Sequence, residues 1–368
     1  MLLVACLIFL VSILLSYFLV GYIIRYAYKE EIYDSENSRK IHHGKIPRVG
    51  GAGFILAAII VVVLTLIVLL HMNPVNWFGY SSNATHDILA VLLSVIIVYV
   101  FGIFDDLLGV GYRTKFSYQI ITGMSLSLTG FCLMNLHGVL GFNEIPSLFS
   151  CLITVFLLVL IINSYNFIDG IDGLASGIAI LSFLYYTVIL VISKNITFLL
   201  SLVFLGAVIP FFYFNVFGKE KDKSKAFMGD TGSTTLGLVL FVFALIVNKS
   251  SGMWSADDVP IAWAFAPLLI PCYDVVNVVL IRISMGKNPF KADKNHFHHK
   301  LLMVGLTQHQ ALLIELSIVV IVAFLTILLS RYLNINAILF VSVILWIMIN
   351  MLLTKIINKK HNNFYEIK

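Results

Sequence analysis

The chain is poor in charged residues: Asp, Glu, Lys and Arg make up 12% of its 368 residues, whereas apolar residues make up 60%. Soluble globular domains carry roughly 25% charged residues. The apolar residues form uninterrupted blocks of about 18 to 23, long enough to cross a bilayer. The alternation over about ten residues that marks a membrane β-barrel is absent. The composition therefore excludes a soluble fold and predicts an all-α, polytopic membrane protein.

The chain also has few cysteines, and it lacks the common nucleotide-binding motifs. The four cysteines, Cys6, Cys132, Cys151 and Cys272, lie in or beside apolar blocks and form no CxxC pair. Disulfides and thiolate metal sites are therefore not expected, and we interpret these residues as small buried hydrophobes. Neither a GxxxxGK[ST] nor a GxGxxG motif occurs, which excludes the common soluble nucleotide-binding folds.

The apolar blocks and the polar breaks between them predict eleven membrane spans. No internal repeat and no separate soluble domain is visible, so residues 1–368 are expected to form one transmembrane domain. The predicted spans lie near 2–24, 50–71, 87–104, 116–136, 147–163, 174–193, 197–214, 232–248, 260–283, 311–330 and 335–357.

The basic residues predict the orientation of these spans. With the N-terminus outside and the C-terminus in the cytoplasm, all of the 24 Lys and Arg residues except Lys194, Lys249 and Arg331 fall on the cytoplasmic side. Such a bias is typical of cytoplasmic loops. The polar clusters fall on the same side, so we expect the function to reside in the cytoplasmic loops near 25–49, 105–115, 164–173, 215–231 and 284–310.

Two acidic residues, Asp105 and Asp106, end the third predicted span with no Lys or Arg within six residues. Adjacent carboxylates repel each other, which raises their pKa values or favours a bound cation. A solvated helix end is the alternative interpretation.

The stretch NSYNFIDGIDG (163–173) places Asn163, Asn166, Asp169 and Asp172 at spacings of three. If this stretch is helical, these side chains share one broad face. Amides beside carboxylates can coordinate Mg²⁺ or hydrogen-bond a base, although the same residues also favour a simple turn.

Two further clusters can contact phosphates. In FMGDTGST (227–234), Asp230 precedes a predicted helix whose free N–H groups suit a phosphate, although Ser or Thr there also serves as an ordinary N-cap. The stretch DKNHFHHK (293–300) holds His296, His298 and His299. Phosphate contact, aided by Lys294 and Lys300, is the favoured interpretation, and a zinc site or a plain polar loop are the alternatives.

A lysine run, Lys219, Lys221, Lys223 and Lys225, precedes Asp230. We interpret it as a membrane-surface feature attracted to anionic lipid. Taken together, the acids, amides, histidines and lysines of the five loops form a set suited to Mg²⁺ and phosphates.

As a set, these motifs resemble the polyprenyl-phosphate N-acetylhexosamine-1-phosphate transferases, the glycosyltransferase family 4 type. The resemblance runs from about residue 39 to 306 and rests on RKIHHGKIPRVGG, FDDLLGVGYRTKFSYQ, NSYNFIDGIDGLASG, AFMGDTGSTTLG and NPFKADKNHFHHKLL. It implies transfer of a sugar-1-phosphate from a UDP-sugar to undecaprenyl phosphate, with release of UMP, at the cytoplasmic face of the bacterial inner membrane. It also implies Mg²⁺, for which Mn²⁺ can substitute.

The resemblance also implies roles for individual residues. Asp105 and Asp106 are the implied catalytic pair near the lipid phosphate, and one of them, most often the first, deprotonates or orients that nucleophile. Asp230 is implied to hold Mg²⁺ on the UDP pyrophosphate, with Asn166 as the second ligand.

The substrate contacts follow in the same way. Phe227 is implied to stack on uracil and Asp172 to hydrogen-bond its edge, whereas the histidines and Lys115 contact phosphates. The implied substrate-binding residues are Lys45, Arg48, Lys115, Asn163, Asp169, Asp172, Phe227, His296, His298 and His299. The implied partners are a UDP-N-acetylhexosamine, undecaprenyl phosphate and membrane lipids, without nucleic acid, and a homodimer occurs in the family.

Two departures from the family pattern bear on substrate and site. The nine residues FGKEKDKSK follow Asn215 and Val216, which puts the role of that family asparagine in doubt. The HxHH motif and IPRVGG point away from the enzyme that uses UDP-MurNAc-pentapeptide and toward UDP-GlcNAc, as the first membrane step of an envelope polymer. Direct attack and a two-step route through an aspartyl intermediate both remain open.

Two other classes are possible from the residues alone. A cation- or proton-coupled transporter would use the aspartates as an ion path, and it predicts ionisable residues near mid-span. A membrane zinc hydrolase would use the histidines, and it predicts a third-ligand set and a general-base Glu nearby.

Overall fold

In a computed structural model of the chain, the described residues are 2–33, 45–71, 82–250, 260–288 and 295–366. They form thirteen α-helices, one short 3₁₀ helix (Ala266–Leu268) and one β-hairpin. The helices are α1 (Leu2–Lys29), α2 (Gly50–His71), α3 (Ser82–Leu108), α4 (Tyr112–Leu128), α5 (Ser147–Ile168), α6 (Leu174–Ile192), α7 (Phe198–Phe217), α8 (Gly229–Lys249), α9 (Pro260–Phe265), α10 (Leu269–Ser284), α11 (Phe297–Val304), α12 (Gln308–Leu329) and α13 (Ile335–Glu366).

The predicted all-α, multi-pass membrane fold is confirmed. Ten segments of the described chain are long and apolar enough to cross a membrane, and they correspond to ten of the eleven predicted spans. The ninth predicted span is interrupted, because α9, the 3₁₀ helix and α10 follow one another directly within it.

The remaining predicted span, 116–136, differs from its prediction. Its helix, α4, covers 17 residues and ends at Leu128, and an antiparallel hairpin follows, formed by β1 (Asn135–Val139) and β2 (Phe142–Glu144). The helix ends in a glycine cap: Gly130 has φ +87°, and the Phe131 N–H donates to the Leu126 carbonyl at 3.1 Å. Such a cap stops a helix whatever the apolar character of the residues beyond it.

Although short, α4 reaches from one end of the bundle to the other. Near its start, Lys115 contacts Asp230 in the first turn of α8. Just past its end, the Gly130 carbonyl accepts a hydrogen bond at 2.6 Å from Lys249, the last residue of α8. At 1.5 Å per residue, its 17 residues span about 25 Å, close to the thickness of the hydrocarbon layer. The described chain therefore crosses the bundle eleven times.

Helix α8 forms the centre of the bundle. Its membrane-spanning stretch is fully buried, and α2, α3, α5 and α6 pack against it. Glycines allow the closest approach: a Cβ on Gly51 would collide with the backbone of Gly232, and a Cβ on Gly102 with that of Thr231. Small residues at helix contacts are the usual means of bringing membrane helices together.

Hydrogen bonds between helices add to this packing. Ser12 and Ser16 of α1 donate to the carbonyls of Val203 and Ala207 in α7, at 2.6 and 2.5 Å. Both serines are fully buried. The contacts fix α1 along α7, so that the C-terminal end of α1 lies beside the loops that form the site.

One end of the bundle carries the polar loops. The C-terminal ends of α1, α3 and α5 and the N-terminal ends of α2, α4, α6 and α8 all lie there. The hairpin lies at the opposite end, where Asn336 at the start of α13 bonds to Gly138 and Leu140. The first residues of α1 and the last residues of α13 are therefore at opposite ends, as eleven crossings require.

Candidate active site

Asp106, at the end of α3, caps the N-terminus of α8. Its Oδ1 accepts from the Asp230 N–H at 2.7 Å, and its Oδ2 accepts from the N–H and hydroxyl of Thr231 at 2.9 and 2.6 Å. A carboxylate is favoured there by the free N–H groups and the helix dipole. Gly229, with φ +76°, allows this approach, since a Cβ there would lie within 2.8 Å of the Asp106 oxygens. Asp106 thus positions Asp230.

Lys115, in the first turn of α4, lies between two carboxylates. Its Nζ is 2.5 Å from Asp105 Oδ2 and 3.2 Å from Asp230 Oδ1. Asp105 is 5% exposed, and its other oxygen accepts from the Val110 N–H at 2.9 Å. One cation thus links residues that are 125 positions apart along the chain, at the point where α3, α4 and α8 meet.

Asn166, in the last turn of α5, completes this cluster. Its Nδ2 donates to Asp230 Oδ1 at 2.5 Å and to Ser233 Oγ at 3.0 Å. The two residues that the resemblance implies as metal ligands therefore lie in direct contact. We refer below to Asp105, Lys115, Asn166 and Asp230 as the central cluster.

Asn163 lies one layer deeper in the bundle. Its Nδ2 donates to Gln119 Oε1 and to the Val159 carbonyl, both at 2.7 Å. Gln119 is one helical turn beyond Lys115 on α4 and is fully buried. This contact holds α4 against α5 beneath the central cluster, and the predicted substrate-binding role of Asn163 stays a prediction.

Asn215 connects two of the predicted loops in spite of the longer sequence that follows it. Its Oδ1 accepts from the Gly173 N–H at 2.6 Å, and its Nδ2 donates to the Ala226 carbonyl at 2.9 Å. Asn215 is 3% exposed. It therefore fixes the end of the α5–α6 loop against the segment that leads into α8.

The α5–α6 loop holds two aspartates in different surroundings. Asp172 Oδ2 is 2.6 Å from the Nζ of Lys225, a lysine that the sequence suggested would face lipid headgroups. Burial raises the pKa of Asp169 to about 7, and the carboxylates of Asp230, Asp172 and Asp106 add to the rise, while Arg48 opposes it. Asp169 is therefore harder to ionise than an ordinary aspartate.

The first loop supplies one cation to the site. Backbone hydrogen bonds at 2.8–3.0 Å pair residues 47–51 with Phe227 and Met228. This pairing brings Arg48 beside Asp105, Asp106 and Asp169. Lys45 lies farther out, with its N–H on Glu220 and its Nζ 5.7 Å from the Tyr33 ring centroid.

Asp274, a residue that the motif analysis missed, anchors the histidine segment. Its Oδ2 is 2.7 Å from His296 Nδ1, and its Oδ1 accepts from the Phe297 N–H at 2.9 Å. Both side chains are nearly fully buried. The position of Asp274 inside a predicted span could have marked it, because a carboxylate is costly within the membrane and usually pairs there with another polar group. This contact leaves Nε2 of His296 for another partner.

His298 is buried and packs against the α5–α6 loop, where a Cβ on Gly170 would collide with its ring. Burial, and then the neighbouring His299 and His296, lower its pKa well below the ordinary value, so the ring is neutral. Within the described residues, neither of its ring nitrogens has a hydrogen-bond partner. The ring stacks on that of His296 at 5.7 Å, and the centroid of His299 is 4.2 Å away.

A cavity of about 280 Å³ opens beside the acidic pair. It combines one cation and two carboxylates with an apolar wall, and so suits a phosphate that carries an apolar chain. Its lining residues are Ile32, Tyr33, Arg48, Val49, Asp105, Asp106, Leu107 and Gly109.

The donor atoms of the central cluster fit a hard divalent cation. Mg²⁺ commonly takes one or two carboxylates together with substrate phosphates and water. Asp230 supplies such an oxygen, and a half-turn of the Asn166 amide would supply another. In the described ranges, no three or more His, Cys, Asp or Glu residues are placed to hold a metal ion among themselves. The protein-ligand set that the zinc-hydrolase alternative requires is therefore not found in these ranges.

The fold and the site define a multi-pass membrane protein whose acids, amide and cations converge at one end of the bundle. Residues 88–248 match the model of glycosyl transferase family 4. The resemblance read from the motifs is thereby confirmed over this stretch, which runs from α3 to α8 and includes the central cluster.

Curated relatives show the same similarity. The chain is 29% identical to decaprenyl-phosphate N-acetylglucosaminephosphotransferase of Mycolicibacterium smegmatis, over 86% of this chain and 79% of the relative. It is 27% identical to undecaprenyl-phosphate alpha-N-acetylglucosaminyl 1-phosphate transferase of Yersinia pestis, over 77% of this chain and 73% of the relative. It is also 27% identical to the probable undecaprenyl-phosphate N-acetylglucosaminyl 1-phosphate transferase of Bacillus subtilis, over 83% of this chain and 79% of the relative.

Proposed function

We propose that the protein transfers an N-acetylhexosamine-1-phosphate, namely GlcNAc-1-phosphate, from a UDP-sugar to undecaprenyl phosphate and releases UMP. The reaction would be the first membrane step of a cell-envelope polysaccharide. The similarity to transferases that act on polyprenyl phosphates supports the acceptor. The HxHH and IPRVGG motifs support UDP-GlcNAc as the donor.

The central cluster is the observation that carries this proposal. Lys115 and Asn166 both contact the Asp230 carboxylate, and Asp105 contacts Lys115 from the side of the cavity. Phosphoryl transfer depends mainly on alignment and on the neutralisation of negative charge. The cluster provides fixed charges for a pyrophosphate on one side and for an attacking phosphate on the other.

On the donor side, the α5–α6 loop and the histidine segment would hold UDP-GlcNAc. Asp172 and Phe227 would contact the base, as the resemblance implies. His298, neutral and without a partner in the described residues, can donate one hydrogen bond to a phosphate oxygen. His296 can do the same through Nε2, because Asp274 engages Nδ1.

On the acceptor side, the cavity beside Asp105 would hold the phosphate of the lipid. Arg48 would pair with the phosphate, and Ile32 and Leu107 would contact the first isoprene units. Asp105 lies at the wall of this cavity, where it can orient the attacking oxygen or accept its proton.

Asp230 and Asn166 would hold Mg²⁺, which supplies positive charge to the pyrophosphate oxygens when bound. Lys115 adds a cation between the two substrates and compensates the charge of Asp105 and Asp230. Asp106 keeps Asp230 in place through the N-terminus of α8.

The reaction can follow direct attack or a two-step route. In direct attack, the bonds change as follows. An oxygen of the acceptor phosphate bonds to the β-phosphorus, the bond from that phosphorus to the bridging oxygen breaks, and UMP leaves. In a two-step route, an aspartate would first take the place of the acceptor oxygen. Both routes give a lipid diphosphate that carries the sugar.

We also propose that the site faces the cytoplasm, in the inner membrane of a bacterium. The bias of Lys and Arg toward the loops of the site supports this orientation. UDP-sugars are cytoplasmic metabolites, so a site on that face meets its donor directly.

The test uses purified protein with undecaprenyl phosphate, Mg²⁺ and a panel of UDP-N-acetylhexosamines, and it follows the release of UMP. We expect release with UDP-GlcNAc, and we expect it to be lost with EDTA and in Asp230→Asn. Asp222→Asn, an exposed aspartate in the loop before Asp230, is the matched control and should retain the activity. A folded protein that releases no UMP from any donor would contradict the proposal.

A further inference from the structure

A second polar cleft lies on the other side of α11 from the histidine contacts. It has a volume of about 330 Å³ and lies between α10, α11 and α13. His298 and Lys300 are two residues apart on α11, which turns their side chains about 200° from each other. Its lining residues are Asn277, Ile281, Lys300, Ile347, Asn350, Met351, Thr354 and Lys355.

The position of this cleft along α13 matches the level of lipid headgroups. Helix α13 begins at Ile335, beside the hairpin at the far end of the bundle. Lys355 is 20 residues further along, which is about 30 Å of helix and equals the thickness of a hydrocarbon layer. Lys355 therefore lies at the membrane interface, and Asn350 and Ile347 lie below it in the hydrocarbon.

The polar end of the cleft offers positive charge. Lys300 is 7% exposed, and its Nζ contacts Asn350 Oδ1 at 3.0 Å. Lys355 adds a second cation, and none of the lining residues is acidic. The Asn277 amide nitrogen is buried without a hydrogen-bond partner among the described residues, and an acceptor that enters the cleft could engage it after a side-chain rotation.

The other end of the cleft is apolar and open to lipid. Ile347 is 44% exposed and Met351 is 57% exposed, although both lie on a helix that crosses the membrane. A ligand with a phosphate at interface level and an acyl chain along α13 would match both ends. A soluble phosphate would leave the apolar end unused.

We propose that this cleft binds an anionic phospholipid, with its phosphate on Lys300 and Lys355 and an acyl chain along Ile347 and Met351. The bound lipid would link α11 to α13, and so would support the helix that carries the histidines. The site is separate from the central cluster and does not depend on which sugar is transferred.

The test measures lipid binding to the full-length protein in neutral detergent by native mass spectrometry, with a titration of phosphatidylglycerol. We expect phosphatidylglycerol to remain bound and phosphatidylcholine not to. Lys355→Gln should weaken the affinity about fivefold, since one lysine near an anionic lipid contributes that much. Lys300→Gln should weaken it further.

Lys359→Gln is the matched control, because Lys359 lies one turn further on α13 and outside the cleft. It should bind phosphatidylglycerol like the unchanged protein. Equal affinity in Lys355→Gln and the unchanged protein would overturn the proposal, even if Lys300→Gln failed to fold. Competition by inorganic phosphate at millimolar concentration, or tighter binding of undecaprenyl phosphate that depends on Lys355, would overturn the choice of a phospholipid.

Discussion

At the scale of single residues, the Lys115 ammonium links the two sides of the site. It contacts Asp105 toward the cavity and Asp230 toward the start of α8. Without it, the Asp105 and Asp230 carboxylates would lose the cation that lies between them. The same cation lies where the negative charge of two phosphates would accumulate, so its removal should affect both the site and the reaction.

We therefore expect Lys115→Gln to lower kcat by about 10²- to 10³-fold, the usual effect of the loss of one preorganised electrostatic contact. UMP release under saturating donor measures this change. Lys194→Gln, at the opposite end of the bundle, should leave kcat unchanged. If Lys115→Gln kept more than half of the activity, the central cluster would not be where charge is neutralised.

The raised pKa of Asp169 predicts that the stability of the folded protein depends on pH. Its pKa rises from 3.8 in the unfolded chain to about 7 in the folded protein. Between these values the unfolded chain has lost a proton that the folded protein keeps, so the contribution of Asp169 to stability falls as pH rises from about 4 to 7.

The variant Asp169→Asn should remove this component. Relative to the unchanged protein, its Tm should rise progressively between pH 4 and 7, while Asp222→Asn, at an exposed site, should not show this trend. Thermal unfolding in detergent across this range measures the difference. A constant difference in Tm at all pH values would show that Asp169 does not change its proton on unfolding.

The residue types of the site could be predicted from the sequence, but most of their partners could not. Motif spacing marked Asp105, Asp106, Asn166 and Asp230, and the structure brings them together. Asp274 was missed because it lies within a predicted span, outside every motif. Gln119 ends the FDDLLGVGYRTKFSYQ motif, but its role was missed because its partner, Asn163, comes from another helix. Such pairs are set by helix packing, which local spacing does not encode.

At the scale of helices, α4 shows why one predicted span differed in length. Hydropathy extends to residue 136, but a glycine cap ends the helix at Leu128. The cap depends on one residue with a positive φ, Gly130, and a hydropathy pattern does not reveal such a conformation. The other ten spans were predictable because a membrane requires long, apolar helices with internally bonded backbones.

Close contact between α2 and α8 predicts a strong effect of a small substitution. In Gly51→Ala, the new Cβ would collide with the backbone of Gly232, so α2 would have to move away from the central helix. We expect a destabilisation of about 1–3 kcal/mol, the usual cost of overpacking. Thermal unfolding in detergent measures it.

Gly111→Ala is the matched control for this prediction. Gly111 has φ −66° and no atom within 4 Å of a built Cβ. The change there should lower stability by less than about 1 kcal/mol, because it changes the N-cap residue of α4 without a collision. Similar losses in the two variants would show that α2 and α8 are not in close contact.

At the scale of the whole molecule, eleven crossings place the first turns of α1 and the last turns of α13 at opposite ends of the bundle. The loops of the site and the last turns of α13 share one side, and Lys194 and the hairpin share the other. The distribution of Lys and Arg supports the proposal that the first of these sides faces the cytoplasm.

Cysteine labelling tests this orientation. In a chain with its four cysteines replaced by serine, Lys194→Cys should react with an impermeant maleimide in intact cells, in which the reagent reaches the outer face of the membrane. Lys359→Cys should react only after the membrane is opened. The reverse pattern would place the site outside and away from cytoplasmic UDP-sugars.

The proposed reaction transfers a sugar-phosphate rather than a sugar alone. Labelling the β-phosphate of the donor distinguishes the two. We would incubate the protein with undecaprenyl phosphate and UDP-GlcNAc that carries ³²P in the β-phosphate, and then separate lipid from water. We expect ³²P in the lipid, in equal amount to the UMP released. Recovery of the ³²P in water-soluble UDP, with unlabelled phosphate in the lipid product, would contradict it.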